Sequence, residues 1–462
     1  MTESHLRVDY GKNNGADCFR TAMGSASARM QSEGRWLLRW KEFERPPLTS
    51  CTLSRREWKR FAALLFFCDP VPDVCSHLLE LSPGDWQSLK RWLDFSGLAL
   101  YFLDRAVELK LGNLLPAEVF TQLNLNMIDN AERTRQMLAE SAEIVRGFRR
   151  KGVTFAVLKG ISLWPRAVPK PDLRSQFDLD YLVAEVDVPT ARGVLERFGY
   201  RLYAKRGRSS EFKKNERPGV SLKDIYKHFD SYAVEIHAEP HSPAESSLFN
   251  RLEGREIEGI TMPSLGRVDL FLGQALHVFK HLCGEFTRAS LVLELRRHIL
   301  TYRDDERFWT ELQLRASTNR RSTIGLATAL YLTEHLMGTT VPDSVYSWSK
   351  DNLPDRIRHW VRTYGHRVVL GNHPGTKLYL LLQHELTRNG IGGQRAARSA
   401  LLPSQLPPMV IRPLTNENYL VRFRRYRMQF GIVLGRMRFH VIEGFRYIIE
   451  ARRWRRLEGA SR

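Results

Sequence analysis

Two aspartates, Asp178 and Asp180, stand one residue apart within the apolar segment 177–183. If this segment is a β-strand, alternate side chains point to the same face, so the two carboxylates lie side by side. Neighbouring carboxylates repel each other unless a cation lies between them. The spacing therefore predicts a divalent-cation site, whereas the alternative is a charged pair that protects an edge strand from aggregation.

A possible phosphate-binding turn lies upstream, where an apolar run at 153–158 ends in Lys159-Gly160. A strand-to-helix turn offers free N–H groups to a phosphate, glycine allows close approach, and lysine adds a charge. Ser162 and Arg174 are further candidates for the same role, although Arg174 could instead pair with a site carboxylate. The alternative for Lys159 is an ordinary turn with a solvated side chain.

A third carboxylate, Glu235, lies in the apolar-flanked segment 232–237. In a regular strand His237 shares the face of Glu235, so it could contact phosphate or order the site. Glu239 is the competing acidic residue. Three carboxylates on adjacent strands suit Mg²⁺ ions that bridge phosphate oxygens and activate an attacking hydroxyl.

Together these segments resemble the nucleotidyltransferase superfamily of DNA polymerase β type, and more closely a bacterial family of uncharacterised nucleotidyltransferases. The family segments Leu-Lys-Gly, Arg-x-x-x-Asp-x-Asp-x-Leu-Val and Glu-x-His correspond to residues 158–160, 174–183 and 235–237. The resemblance runs from about residue 50 to about residue 340. It departs at Ile161, where many superfamily members have serine, and at Glu294, where aspartate is common.

The resemblance implies transfer of a nucleoside monophosphate from an NTP, with ATP the first candidate, to an unidentified acceptor, with release of pyrophosphate. Mg²⁺ is the implied metal, with Mn²⁺ as the alternative ion. The implied catalytic and metal-binding residues are Asp178, Asp180 and Glu235, and the implied nucleotide-binding residues are Lys159, Gly160, Ser162, Arg174 and His237. Two alternatives stay open: a sugar-nucleotide-dependent or other metal-dependent transferase, and a non-catalytic protein that binds nucleic acid or another anionic polymer.

The chain has 462 residues, of which 43% are hydrophobic and 10% aromatic, as in globular proteins with two or three domains. We predict an α+β protein in which a small mixed-sheet nucleotidyltransferase core is flanked by N-terminal and C-terminal helical domains. The predicted divisions are a disordered N-terminus at 1–34, a helical domain at 35–150, the core at 151–265, a second helical domain at 266–400, and a proline-containing linker with a basic helix at 401–462.

The net charge of +20 predicts an anionic partner, and the charge is densest at the C-terminal end. Residues 422–462 contain twelve arginines and three glutamates, interleaved with aromatic residues. This pattern suits a nucleic acid, an anionic polymer or a membrane surface. It equally suits a helix packed on the protein with its arginines in water.

Other features point away from disulfides, zinc and membrane spans. Five cysteines without a Cys-x-x-Cys pair predict reduced thiols, and the absence of an apolar run of about 18 residues predicts a cytoplasmic protein without a transmembrane segment. His277 and His281 have the i, i+4 spacing of some zinc ligands but no obvious third ligand. The basic segment 205–217 could guide phosphates or be a solvated loop.

Periodicity and capping signals place these residues on predicted elements. Ser54 and Ser82 are predicted to begin helices, a long helix is predicted over 119–150, and Asp187 is predicted to cap a helix that stops at Gly199. Strands are predicted at 153–158, 177–183, 200–203, 211–213, 219–222 and 232–237. Helices are predicted at 305–316, 322–337, 354–365 and 418–457, and an apolar stripe predicts another from Asp269 onward.

Overall fold

The computed structural model describes residues 53–112, 115–214, 224–227, 232–239, 247–257, 259–338, 340–391, 401 and 418–460. The predictions for the N-terminus at 1–34, for a strand at 219–222 and for nearly all of the linker lie outside the described residues. The division into domains stays a prediction.

The first two described helices begin where Ser54 and Ser82 predict. The Ser54 side chain accepts a hydrogen bond from the Glu57 backbone, and Glu57 in turn accepts from the Ser54 backbone, which completes a capping box. Ser82 caps the next helix through the Asp85 backbone. These two helices are α1 (Arg55–Leu65) and α2 (Pro83–Ser96). They are followed by α3 (Ala99–Glu108) and the long α4 (Ala117–Arg150), neither of which has a side-chain cap.

Within the described residues a seven-stranded mixed sheet forms, in the order β3-β4-β5-β2-β1-β7-β6. Its central strands β2 and β5 are parallel, whereas β1 and β2 are antiparallel. The strands are β1 (Phe155–Leu158), β2 (Asp178–Ala184), β3 (Arg201–Arg206), β4 (Ser209–Lys213), β5 (Ala233–Glu239), β6 (Leu252–Ile257) and β7 (Ile260–Leu265). The sheet and its flanking helices confirm the predicted fold class.

The two faces of β2 have different environments because its side chains alternate. Leu179, Tyr181 and Val183 join one hydrophobic core with α4 and with α5 (Val188–Arg197). The ring of Tyr181 lies 5.4 Å from that of Phe148 on α4. Asp178, Asp180 and Leu182 therefore point to the opposite face, where Leu182 joins a second core together with the helical segments.

The helix α5 begins after Asp187 as predicted, but the Asp187 side chain does not cap it. Its Oδ2 instead accepts a hydrogen bond of 2.8 Å from the Thr154 backbone, just before β1. Asp187 thus ties the start of α5 to the sheet rather than completing the helix. Gly199, with a φ of 83°, ends this segment as predicted.

Helices return after the sheet. They are α6 (Arg267–Leu282), α7 (Ala289–Thr301), α8 (Glu306–Ser317), α9 (Arg320–Met337), α10 (Asp343–Asp351), α11 (Asp355–Val369), α12 (Tyr379–Arg388) and α13 (Tyr419–Ala460). Their buried residues form one continuous core with those of α1–α3. Among the described helices, none combines the length and apolar composition needed to cross a lipid bilayer.

Candidate active site

Asp180 and Glu235 lie beside each other on the face of the sheet opposite α4 and α5. They are directly paired in the parallel register of β2 and β5, so their side chains share one face. His237 follows on the same face of β5, and its Nε2 lies 3.0 Å from Asp180 Oδ1 and 3.2 Å from Glu235 Oε2. One ligand atom from each of these three side chains lies within 4.8 Å of the others, close enough to hold a metal ion.

Lys159 brings a positive charge into this cluster. The end of β1 lies against Asp180 in the antiparallel register, and Lys159 follows with a φ of 49°, in the left-handed region. Its Nζ donates a hydrogen bond of 2.6 Å to Asp180 Oδ1 and lies 3.4 Å from Glu235 Oε2. Burial alone would lower the pKa of Lys159, but the carboxylates Asp180 and Glu235 raise it, so the side chain is held as a cation.

Hydrogen bonds within the cluster also shift the pKa values of Glu235 and His237. The contact with His237, reinforced by a hydrogen bond of 2.8 Å from Ser209 Oγ, holds the pKa of Glu235 well below its usual range despite partial burial. Burial would lower the pKa of His237, but its hydrogen bonds to Asp180 and Glu235 raise it. Glu235 is therefore held ionised in this arrangement, as a metal-binding carboxylate must be.

Asp178 lies on the same face but outside the group of three ligands. Part of its side chain reaches solvent. Burial of the carboxylate by the surrounding protein, followed by the charge of Asp180, raises its pKa to about 6. Lys159 and Arg174 oppose the shift. Asp178 is therefore the carboxylate of the site that a ligand from solvent can reach most directly.

The turn after Lys159 is held by internal contacts. Ser162 is fully buried, and its hydroxyl donates a hydrogen bond of 2.6 Å to the Lys159 carbonyl, so it fixes the turn rather than facing a phosphate. A Cβ atom on Gly160 would lie 1.8 Å from Gln176 Oε1. The Gln176 amide donates to the Asp178 carbonyl at 2.6 Å, so Gly160 is needed for the packing that positions Asp178.

Arg174 connects the site to the helices. Its Nε donates to Glu294 Oε1 on α7 at 3.1 Å, and its Nη1 donates to Gln176 Oε1 at 3.2 Å. Glu294 also accepts a hydrogen bond of 3.1 Å from Tyr101 on α3. Arg174 thus has its hydrogen bonds directed to protein partners, and we name Tyr101, Glu294, Arg174 and Gln176 the positioning network.

Further basic and histidine side chains lie close to the acidic cluster. His277 and His281 on α6 stack edge to face with ring centroids 4.6 Å apart. Burial, followed by neighbouring positive charges that include Lys159, lowers the pKa of both histidines, that of His277 to about 2. Within the described residues they gain no third ligand for zinc. Arg288, whose guanidinium lies 5.8 Å from the Phe177 ring centroid, makes no side-chain ion pair with any described residue.

The donor set fits a divalent cation. Asp180 and Glu235 supply hard oxygen ligands of the kind that Mg²⁺ and Mn²⁺ prefer, and an imidazole nitrogen is better suited to Mn²⁺ than to Mg²⁺. Lys159 contacts the same oxygens, so a bound cation and the lysine compete for them. Any metal bound here must therefore displace or share the ion pair of Lys159.

The structure brings together Lys159, Asp180, Glu235 and His237 from the predicted set, with Asp178 on the same face. Ser162 and Arg174 instead contact protein groups. Sequence reasoning missed Ser209, Gln176 and Tyr101. Of these three residues, only Ser209 could have been found from the sequence. It lies within the basic segment 205–217, and a hydroxyl on a strand there could reach the neighbouring strand β5.

Comparison with known proteins identifies a family for this chain. Residues 82–338, more than half of the chain, match the model of a family described as uncharacterised nucleotidyltransferase. The chain belongs to this family. No curated protein matches it.

One solved structure, the crystal structure of an antigenic nucleotidyltransferase-like protein from Paracoccidioides brasiliensis, is similar at 10% sequence identity. The similarity covers 47% of this chain and 97% of that one, with a TM-score of 0.27. At that score the likeness carries no argument about the fold or the site.

Proposed function

We propose that the protein is a metal-dependent nucleotidyltransferase of the DNA polymerase β-type superfamily, which moves a nucleoside monophosphate from an NTP to an acceptor. The observation that carries this proposal is the pairing of Asp180 with Glu235 on adjacent parallel strands, with His237 beside them. Family membership supports the reaction class.

The acidic residues would hold Mg²⁺ or Mn²⁺: Asp180 and Glu235 as principal ligands, with Asp178 and His237 completing the site. When bound, the cation would neutralise charge that develops on the phosphate oxygens and on the leaving pyrophosphate. Glu235 would orient the acceptor hydroxyl or accept its proton.

Positive charges near the carboxylates would bind the phosphates of the nucleotide. Arg288 is the best candidate, because it lies near Asp178 and has no ion-pair partner among the described residues. Lys159 would contribute when a cation takes its place on Asp180 and Glu235. Arg174, bound to Glu294, would position Asp178 through Gln176 rather than grip phosphate.

The test is isothermal titration with each of the four NTPs, with and without Mg²⁺, using wild-type protein and the variants Asp180→Asn and Glu235→Gln. We expect binding that requires Mg²⁺ and that weakens at least about a hundredfold in both variants, because a lost ligand removes several kcal/mol of charge stabilisation. Transfer of label from the α-phosphate, with pyrophosphate release, would then identify the acceptor fraction.

Glu211→Gln is the matched control. Glu211 pairs with Glu235 in the register of β4 and β5, so it shares the same face of the sheet, but it lies outside the group of three ligands. The Glu211→Gln variant should bind NTP with the affinity of the wild type. Undiminished NTP binding by folded Asp180→Asn, or turnover of a sugar nucleotide without pyrophosphate release, would overturn the proposal.

A further inference from the structure

The C-terminal helix α13 is docked on the protein by one face. Glu443 accepts a hydrogen bond of 2.7 Å from Thr376, and Trp454 donates one of 2.8 Å to Glu385 on α12. Glu450 accepts one of 2.9 Å from Tyr364 on α11. Because these contacts are buried, the helix has a fixed inner face and a fixed outer face.

The outer face of α13 is apolar. Seven large side chains recur at steps of seven, four, three, four, four and three residues, which keeps them on one side of a helix with 3.6 residues per turn. Each is 42–68% exposed. They are Phe423, Phe430, Leu434, Met437, Val441, Phe445 and Ile448, and we name them the outer stripe. An apolar patch of this extent on a protein surface marks an interaction site.

Among the described side chains of α13, the exposed charges beside the outer stripe are positive. Exposed arginines lie beside it and continue to the end of the helix, at Arg424, Arg427, Arg438, Arg452, Arg455 and Arg456. Both glutamates of α13 whose side chains the structure describes, Glu443 and Glu450, are buried on the inner face. The exposed side of α13 therefore presents apolar and positive groups together.

We propose that the outer stripe docks on the surface of an anionic lipid bilayer, with α13 lying in the plane of the interface. The apolar side chains would enter the boundary between headgroups and acyl chains, and the arginines would reach the lipid phosphates. A second copy of the helix fits less well, because packing stripe against stripe would bring arginines together. A nucleic acid fits less well too, because it offers no partner for Leu434, Met437, Val441 and Ile448.

The test is co-sedimentation of the purified full-length protein with phosphatidylcholine vesicles and with vesicles of equal parts phosphatidylcholine and phosphatidylglycerol. We expect binding to the anionic vesicles only. Two variants probe the two components: Phe430→Gln/Met437→Gln/Phe445→Gln removes part of the stripe, and Arg424→Gln/Arg438→Gln removes flanking charge. Each should weaken binding at least roughly tenfold.

The control is Leu314→Gln, which removes an apolar side chain that is 72% exposed on α8, and it should bind as the wild type does. Thermal unfolding checks that all variants are folded. The proposal is overturned if the wild type does not bind anionic vesicles. It is also overturned if the triple glutamine variant binds them as well as the wild type does, because binding would then depend on charge alone. It is equally overturned if the stripe substitutions only dissociate a dimer. Activity with NTP enters none of these readouts.

Discussion

Lys159 and Asp180 form an ion pair of 2.6 Å at the centre of the acidic cluster. The lysine charge offsets the repulsion between Asp180 and Glu235, whose side chains are neighbours in the sheet. The same contact means that a divalent cation bound to these carboxylates would use the same oxygens as Lys159. The strength of metal binding and the position of this side chain are therefore coupled.

Replacing Lys159 with methionine should raise the affinity for Mn²⁺ by about tenfold or more, because a competing charge-assisted hydrogen bond is removed. Nucleotidyl transfer should fall at the same time, because the phosphates lose a positive charge. Mn²⁺ affinity can be followed by electron paramagnetic resonance of the free ion.

The control for this change is Lys213→Met. Lys213 lies on the neighbouring strand β4 and pairs with Glu211 at 2.7 Å, outside the group of three ligands. Mn²⁺ affinity should stay at the wild-type value. A Lys159→Met variant that binds Mn²⁺ no better than wild type would show that the lysine and the metal occupy separate positions.

Gly160→Ala should lower the free energy of unfolding by about 1–3 kcal/mol, because the new methyl group overlaps the Gln176 amide. Moving that amide breaks its hydrogen bonds with Arg174 and with the Asp178 carbonyl. Urea denaturation measures the loss, and NTP affinity should fall with it. Gly193→Ala on α5 is the control: a Cβ there meets nothing within 4 Å, so we expect a gain of up to about 1 kcal/mol.

Glu294→Met should destabilise the protein by about 3–5 kcal/mol, because it leaves the Arg174 guanidinium without its carboxylate partner in a largely buried position. The double variant Arg174→Met/Glu294→Met should cost less than the single one, because no charge is stranded. A double-mutant cycle in urea checks this. Additive losses would show that the two residues are not coupled.

Acid should destabilise the protein through His298, which is fully buried on α7. Burial, followed by the charges of Arg166 and Arg255, lowers its pKa to about 3. Below the ordinary histidine pKa of about 6.5 this histidine is protonated in the unfolded chain but stays neutral in the folded protein. The free energy of unfolding therefore falls by about 1.4 kcal/mol for each pH unit, until the pH approaches 3.

His298→Asn should therefore reduce the slope of unfolding free energy against pH, between about pH 6 and pH 4, by about 1.4 kcal/mol per pH unit, which corresponds to the uptake of one proton. Asparagine can keep the hydrogen bond to Gln274 Oε1, which the His298 ring makes at 2.6 Å. His384→Asn, at an exposed position, is the comparison variant. Equal slopes for wild type and His298→Asn would contradict the assignment.

Features that depend on neighbouring residues were predictable from the sequence. The spacing of Asp178 and Asp180, and that of Glu235 and His237, correctly predicts a shared strand face, because side chains alternate with a period of two. Capping residues located the starts of α1 and α2, and the helical tail was confirmed. The one-to-one pairing of Asp180 with Glu235 was not predictable, because register between strands far apart in the chain depends on the whole sheet.

Other elements were missed for physical reasons. The hairpin of β6 and β7 was not predicted, because Gly254 and Pro263 interrupt its strands and weaken the alternation. The bounds of helix α7 were not predicted, because most of its residues are buried, including the polar residues Glu294, Arg296 and His298, so burial does not follow the polar and apolar pattern of its sequence. The role of Glu294 depended on α7 and stayed out of reach for the same reason.

The positioning network has a consequence for how this protein can change over evolutionary time. Its members come from α3, from the segment before β2 and from α7. The strands that carry the acidic residues therefore depend on helices from other parts of the chain. A recombination event that moved residues 151–265 alone onto another scaffold would leave Tyr101 and Glu294 behind. The helices and the sheet are therefore inherited as one unit, and new specificities must arise by substitution within it.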